Sequence, residues 1–345
     1  MKIKFNSIIT QMADEIKNWD ITSSISHKAA ELIRLMEPWK SFDADIFTQD
    51  FLTLKELNKQ FSFGDGFGQP AITLWSNEDF RIELYFWNSS NTSVHSHAFA
   101  GAFTVLEGLS LQTRYHLKEV EFNEAQGTST FTNDKKLHEF IYPGSIQEIT
   151  PGMAFCHEVI HLKHPTVTFI IRTNKPICQQ MQILQNGIFG FHFIPANEIV
   201  LLAKKMSLLN LRSKQGSNEV ATFLKELTLS CLLNIKVNSA MWGFVQTDEF
   251  YASVQDILKE KLRDIHNLEI ENILKINELE ESDDPLATLT SCVYLHSIPI
   301  EVLTSFFAKM PETSLKTLLT SKRSMEGDIV YDKLVKLVSD KLFKK

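Results

Sequence analysis

Cysteine is scarce in this chain. Its 345 residues include only four, Cys156, Cys178, Cys231 and Cys292, far apart and with no CxxC pair. That spacing excludes a zinc ribbon and a disulfide-stapled secreted scaffold. Long apolar runs are also missing: no stretch reaches the 18 uninterrupted apolar residues that a membrane-spanning helix needs. The opening MKIKFNSIITQMADEIKNW meets Asp14 and Glu15 before any apolar run attains signal-peptide length, so it reads as an amphipathic helix of a cytoplasmic protein with no membrane partner. Basic charge is not in excess, with 35 Lys and Arg against 42 Asp and Glu and a net charge of −7. The Lys and Arg are scattered, and the tail Lys341, Lys344 and Lys345 is short, so a nucleic-acid-coating surface is excluded. With 43% hydrophobic residues, the chain can bury a core without metal or disulfide staples.

Histidine is present and unevenly placed. Eight of the 11 (His95, His97, His116, His138, His157, His161, His164 and His192) fall between residues 95 and 192, and ten of 13 glycines lie between Gly64 and Gly190. The chain divides accordingly into three parts: N-terminal helices over 1–62, a β region over 63–195 and a helical region over 196–345. In the first part, Ile8, Ile9, Met12 and Ile16 make one apolar stripe, and Ala29, Ala30, Leu32, Ile33 and Met36 make a second. A third short helix is expected from Asp50 to Gln60. FGDGFGQP at 63–70 matches neither GxGxxG nor GxxxxGK[ST], so it reads as a turn into the β region and not as a phosphate loop.

From Ala71 to about Ile194, short apolar segments are separated by turn chemistry such as SNED, NSSNTS, PG and NG. They are 71–75, 79–87, 100–108, 109–117, 139–142, 145–150, 159–162, 166–173, 178–184 and 188–194, and their spacing argues for an antiparallel sandwich or small barrel. After Pro195, i, i+3, i+4 stripes mark eight helical segments at 197–211, 217–233, 248–265, 267–280, 286–297, 299–310, 314–322 and 328–343. No internal repeat of solenoid length emerges.

VHSHAFAGAFTVLEG, residues 94–108, carries the chemistry. His95 and His97 leave the same face of a strand, where their ring nitrogens can reach one ion. About 60 residues later, ITPGMAFCHEVIHLKHPTVTF supplies His157 behind a Pro-Gly turn, a third ligand expected from a strand facing the first. Three neutral imidazoles favour Fe, Zn, Cu or Ni, leave open coordination positions and keep the full charge of the metal, which favours an anionic substrate. Arg172 shares parity with Thr168 and Ile170; if that parity faces the pocket, its guanidinium can clamp a carboxylate, and if the register slips by one it lies in water. Arg81, Glu83 and Tyr85 alternate with Phe80, Ile82, Leu84 and Phe86, which reads first as a solvated face opposite a core face, and second as a pocket lining where Arg81 and Tyr85 meet substrate. His161 shares parity with His157 and is a reserve metal ligand. Cys156 reads as a buried thiol.

These motifs resemble the cupin superfamily. Its first motif has HxH, then Glu, then Gly seven positions further; here His95, His97 and Gly108 match, and the Glu position falls on Gly101 or Ala102. PGMAFCH is a looser form of the second motif. Over roughly residues 30–185 the chain resembles the cysteine dioxygenase family of thiol dioxygenases, through Trp87 eight residues before His95, through HSHxxxxA in place of HxHxxxxC, and through His157, Val159 and His164. The family's cross-linking cysteine falls at Ala102, and its Ser-His-Tyr outer-shell relay falls at Thr168, Ile170 and Arg172, so two of those three are changed.

The resemblance implies an α+β fold: a cupin-type antiparallel β-barrel, or jelly roll, with N-terminal helices and a C-terminal all-α domain. It further implies a mononuclear non-haem Fe(II) oxidoreductase that uses O2 on a small carboxylate-bearing substrate, a thiol in the family itself. Two alternatives stay open. One is a cupin enzyme that uses Zn, Mn or Ni for other chemistry. The other is a ligand- or metal-sensing barrel whose C-terminal helices form a homodimer or bind a protein partner.

Overall fold

The computed structural model describes the whole chain except residues 1, 23, 57, 62–67, 69, 89–90, 185–187, 195, 214–218, 239–247, 264–284, 297, 299, 320–327 and 344–345. The turn expected at 63–70 and the helix expected at 267–280 therefore lie largely or wholly outside the described residues. Helices α1 (Lys2–Ile16), α2 (Ile25–Met36) and α3 (Ala44–Leu52) precede eleven strands. The third helix thus starts and ends earlier than the sequence suggests. Asp43 sets its start by accepting a hydrogen bond from the Ile46 backbone N–H, which satisfies one of the orphan donors of the first turn.

The strands are β1 (Ala71–Ser76), β2 (Phe80–Trp87), β3 (Asn91–His97), β4 (Gly101–Glu107), β5 (Ser110–Asn123), β6 (Thr128–Ile141), β7 (Ile146–Ile149), β8 (Gly152–His161), β9 (Thr166–Thr173), β10 (Met181–Leu184) and β11 (Phe189–His192). They form two antiparallel layers. One is a five-stranded sheet in the order β1-β2-β9-β4-β7, and the other is a ring of six strands in the order β10-β11-β6-β5-β8-β3. The β5–β6 hairpin is far longer than the apolar segments predict. Its outer half is polar and exposed, so period-2 hydrophobicity fades while ladder bonds continue from Ser110↔Ile141 to Asn123↔Thr128.

Each face of the five-stranded sheet has its own partner. Phe80, Ile82, Leu84 and Phe86 of β2, with Val167, Phe169 and Ile171 of β9, bury against the stripes of α1 and α2. The opposite face, with Tyr85, Trp87, Phe103 and Ile170, meets Phe155 and Val159 of β8 in a second cluster between the layers. Gly108 ends β4 at φ +105°, and a Cβ there would stand 2.4 Å from the Thr166 hydroxyl, so only glycine fits.

Eight helices are described after the strands: α4 (Ala196–Ser213), α5 (Glu219–Glu226), α6 (Leu229–Asn238), α7 (Asp248–Leu262), α8 (Pro285–His296), α9 (Ile300–Lys309), α10 (Glu312–Leu319) and α11 (Ile329–Phe343). The segment expected to be one helix at 217–233 is two. The later helices pack in two separate clusters. Leu202, Leu224, Leu232, Phe250 and Leu258 bury against Phe189 and Phe191 of β11. Leu289, Leu303, Phe307 and Leu334 bury against Leu111, Phe140 and Ile160 of β5, β6 and β8. Among the described residues no helix is long and apolar enough to cross a membrane.

Candidate metal centre

His95 and His157 are register partners on the adjacent strands β3 and β8. Directly opposed antiparallel residues bring their Cβ atoms within about 5 Å, and the two rings accordingly lie 4.7 Å apart. The third candidate ligand therefore lies on the hydrogen-bonded neighbour of the HxH strand and not, as expected, on a strand facing it. The register then shifts, so that His97 pairs with Gly152. This irregularity lets two residues of β3 converge with one of β8, a common use of bulges beside functional sites.

All three rings are buried, and one candidate nitrogen from each lies within 4.8 Å of the others. The Nε2 atoms of His97 and His157 are 3.0 Å apart. Two nitrogens at right angles on one ion, each about 2.1 Å from it, would be separated by about 3.0 Å, so the pair fits a single coordination sphere.

Hydrogen bonds fix which nitrogen faces inward. His95 Nδ1 lies 2.7 Å from the Ser93 carbonyl, which can only accept, so Nδ1 carries the proton and Nε2 keeps its lone pair. For His157 the chain is longer. Gln112 donates through Nε2 to Glu139 Oε1 at 2.8 Å, so its carbonyl Oε1 is turned toward His157 Nδ1, 2.8 Å away. The imidazole must then donate from Nδ1, which again leaves Nε2 for an ion. Gln112 is fully buried between Leu111 and Thr113, and the only signal in the sequence was a polar residue amid an apolar strand. Replacing Gln112 with Leu should weaken metal affinity about 10- to 100-fold with the three ligands intact, measured by competition with a chelator. An unchanged affinity would show that the Gln112 bond does not support the site.

The rings sit in a cavity of about 230 Å³ between the layers. Its lining is mostly apolar, with Phe99, Phe103 and Ile170 among the walls. Burial pushes His95 down to about 4 and holds His97 and His157 well below the ordinary histidine range, so all three are neutral at neutral pH. His161 is pushed down to about 3 by the same cause. In the unfolded chain each would titrate near 6.5, so as pH falls below that value the unfolded state takes up protons first. Stability is then fully present above about pH 6.5 and is lost on acidification, with His95 alone withdrawing about 3 kcal/mol by pH 4. The metal-free protein should show a melting temperature that drops steeply from pH 6.5 to pH 4. A flat profile would contradict buried neutral imidazoles.

Arg172 lies on the cavity side of β9, with Thr168 and Ile170. The β2–β9 register, Arg81↔Arg172, Glu83↔Ile170 and Tyr85↔Thr168, places Arg81, Glu83 and Tyr85 on that same inward side. All three are buried, which corrects the solvated-face reading: in a sheet covered by helices on one side and by the ring on the other, neither face meets water. They form a network. Arg81 Nε pairs with Glu83 Oε2 at 2.8 Å, and the Tyr85 hydroxyl donates to the same oxygen at 2.9 Å. Arg172 Nη1 donates to the Tyr85 oxygen at 3.2 Å. Glu83 is thus engaged by Arg81 and Tyr85, and Arg172 meets a neutral phenol. Its Nε is buried with no hydrogen-bond partner among the described residues, and its guanidinium lies 3.4 Å over the Phe99 ring. Burial lowers the pKa of Arg172 and raises that of Tyr85.

The remaining candidates separate cleanly. His161 lines the cavity but is not one of the three converging histidines. Cys156 is buried on the other side of β8 with Val94, Tyr115 and Phe131. His138 bonds the Thr113 hydroxyl at 3.0 Å, and His192 packs beside Phe122. Of the two positions on which the first cupin motif's glutamate falls, Ala102 packs in the core cluster with α1 and α2, and Gly101 allows no side chain, since a Cβ would stand 2.1 Å from the Ile171 carbonyl oxygen.

Two facing antiparallel layers with a three-histidine face between them define a jelly-roll barrel of the cupin type with a candidate metal centre. No protein-family model matches the chain, and no curated protein matches it. Among solved structures it is similar to a cupin superfamily protein from Desulfitobacterium hafniense, at 12% identity over 35% of this chain and 98% of that one, with a TM-score of 0.21. It is also similar to a conserved protein with a double-stranded β-helix domain from Klebsiella pneumoniae, at 15% identity over 40% and 99% of the two chains, TM-score 0.22. A third is the DMSP lyase DddQ from Ruegeria pomeroyi, at 9% identity over 52% and 96%, TM-score 0.29. Likenesses this distant carry no conclusion about activity, and the fold assignment rests on strand order and register.

Proposed function

We propose that this chain is a mononuclear metal-dependent enzyme in which His95, His97 and His157 hold Fe(II), and Arg172 anchors the acid group of a small substrate that is oxidised with O2. The observation that carries this reading is the pairing, in one cavity, of three buried neutral histidines with a half-buried arginine whose acidic neighbour, Glu83, is already engaged by Arg81 and Tyr85. Arg81 and Arg172 share the Glu83 carboxylate, so the partly desolvated guanidinium at the cavity is under-compensated, and an anionic ligand would offset that cost. Fe(II) held by three imidazoles supplies open positions for a substrate and O2 together.

The chain's own residues would do the rest. Phe99 and Phe103 exclude water, and Arg172 orients the acid group. Tyr85, whose proton is engaged by Glu83, holds the guanidinium in place and has no proton to offer a substrate. Ile170 and Arg172 in place of the family's histidine and tyrosine favour a second reading, a Zn, Mn or Ni site with other chemistry, because the relay that serves thiol oxidation is changed. Anaerobic purification, metal analysis and O2 uptake with a panel of small thiols and carboxylic acids separate the two. Stoichiometric iron with substrate-dependent uptake is expected. Firmly bound zinc with no uptake would overturn the iron reading.

A further inference from the structure

His161 is buried, lines the cavity and lies four residues beyond His157 on the same face of β8. Its ring is stacked on Trp87 at 4.7 Å and 18°, and its Nδ1 is 2.9 Å from the Ser110 hydroxyl. Trp87 is in turn fixed by its indole N–H, which donates to the Thr168 hydroxyl at 3.0 Å. The imidazole is therefore held in position on one nitrogen and one face. Its other nitrogen, Nε2, is buried with no hydrogen-bond partner among the described residues. A desolvated ring nitrogen left unpaired destabilises the fold, so a ring built into place with this atom free points to an occupant.

The position of that occupant follows from the register. Trp87 ties His161 to the level of Thr168 on β9, and Arg172 is four residues further along the same strand, about 13 Å of backbone at ~3.3 Å per residue. The metal-binding histidines lie between these levels. His157 packs beside Phe103, the register partner of Ile170, and is the residue from which β8 runs on to His161. The cavity thus has a cationic end at Arg172, a metal face in the middle and a neutral polar end at His161.

We propose that His161 is a second recognition group, and that the cavity takes a chain-like acid bearing an uncharged hydrogen-bonding group, a hydroxyl in the simplest case, at the end remote from the acid. This rests on the reading that Arg172 anchors the acid. A hydroxyl can both donate and accept, so it satisfies Nε2 in either tautomer. A second charged group at that end would be buried against a neutral ring without a counter-charge, which selects against diacids and amino acids of that length.

The test is calorimetric titration of the full chain, carrying its resident metal, with two matched series: ω-hydroxy acids from glycolate to 8-hydroxyoctanoate, and the plain alkanoates of equal carbon number. At one chain length the hydroxy acid should bind about tenfold or more tightly than its alkanoate. In His161→Phe that ratio should collapse to near one, His161→Gln should recover part of it, and Arg172→Met should abolish binding of both series. A ratio near one at every length in the wild-type chain, where no variant needs to fold, would overturn the role of His161 while leaving the Arg172 anchor standing. So would a ratio that survives in His161→Phe. Binding that is absent, or that ignores Arg172, would overturn both.

Discussion

His157→Ala should take bound metal from stoichiometric to background, measured by metal analysis after passage over a chelating resin. The expectation follows from how the site is built. His157 shares a 3.0 Å Nε2 separation with His97 and is the register partner of His95, so it closes the three-nitrogen face. Its loss also leaves Gln112 Oε1 buried without its donor, at a cost of about 1–3 kcal/mol. The variant should therefore unfold earlier in denaturant yet keep its circular dichroism spectrum. The loss of metal must exceed the effect of Gln112→Leu, which only removes support. Full metal occupancy in a folded His157→Ala protein would remove His157 from the ligand set.

Arg172→Met should separate binding from stability in opposite directions. Affinity for a small carboxylic acid should fall about 100-fold or more, because the acid loses its charge-assisted partner in a desolvated cavity. The metal-free protein should become more stable, by about 1–4 kcal/mol, since a half-buried guanidinium that shares Glu83 with Arg81 is replaced by an apolar chain of similar length. A residue that only filled space or tied strands together would lower stability when replaced. Unchanged ligand affinity in Arg172→Met would sink the anchor reading, and metal content serves as the internal control that the histidine face persists.

Much of this architecture is legible in the residues because period-2 and period-3.6 patterns record which faces are buried. The HxH of 95–97, the Pro-Gly turn before His157 and the glycine at 108 carry local geometry that propensity and sterics alone explain. Other parts were hidden for physical reasons. The β5–β6 hairpin continues on ladder bonds between polar residues, which leave no hydrophobic trace. Arg81, Glu83 and Tyr85 alternate as a solvated face would, and their burial comes from the second layer, which no local pattern encodes. Gln112 matters through partners 27 and 45 residues away in sequence, a relation that only the register supplies. Parity alone leaves Arg172 open to pocket or solvent, and pairing with β2 and β4 sets its side.

The glycine at position 101 also limits what this barrel can become. With the Ile171 carbonyl oxygen and the Arg172 Cα occupying the space of any Cβ, Gly101→Glu has nowhere to put even its first carbon. A carboxylate at position 101 is therefore not one substitution away, either for natural variation or for an engineer. It would first require β9 to move away from β4, and the strand that would have to move is the one that carries Arg172. A side chain at position 101 and the placement of Arg172 are thus mechanically linked, so neither can be changed without disturbing the other.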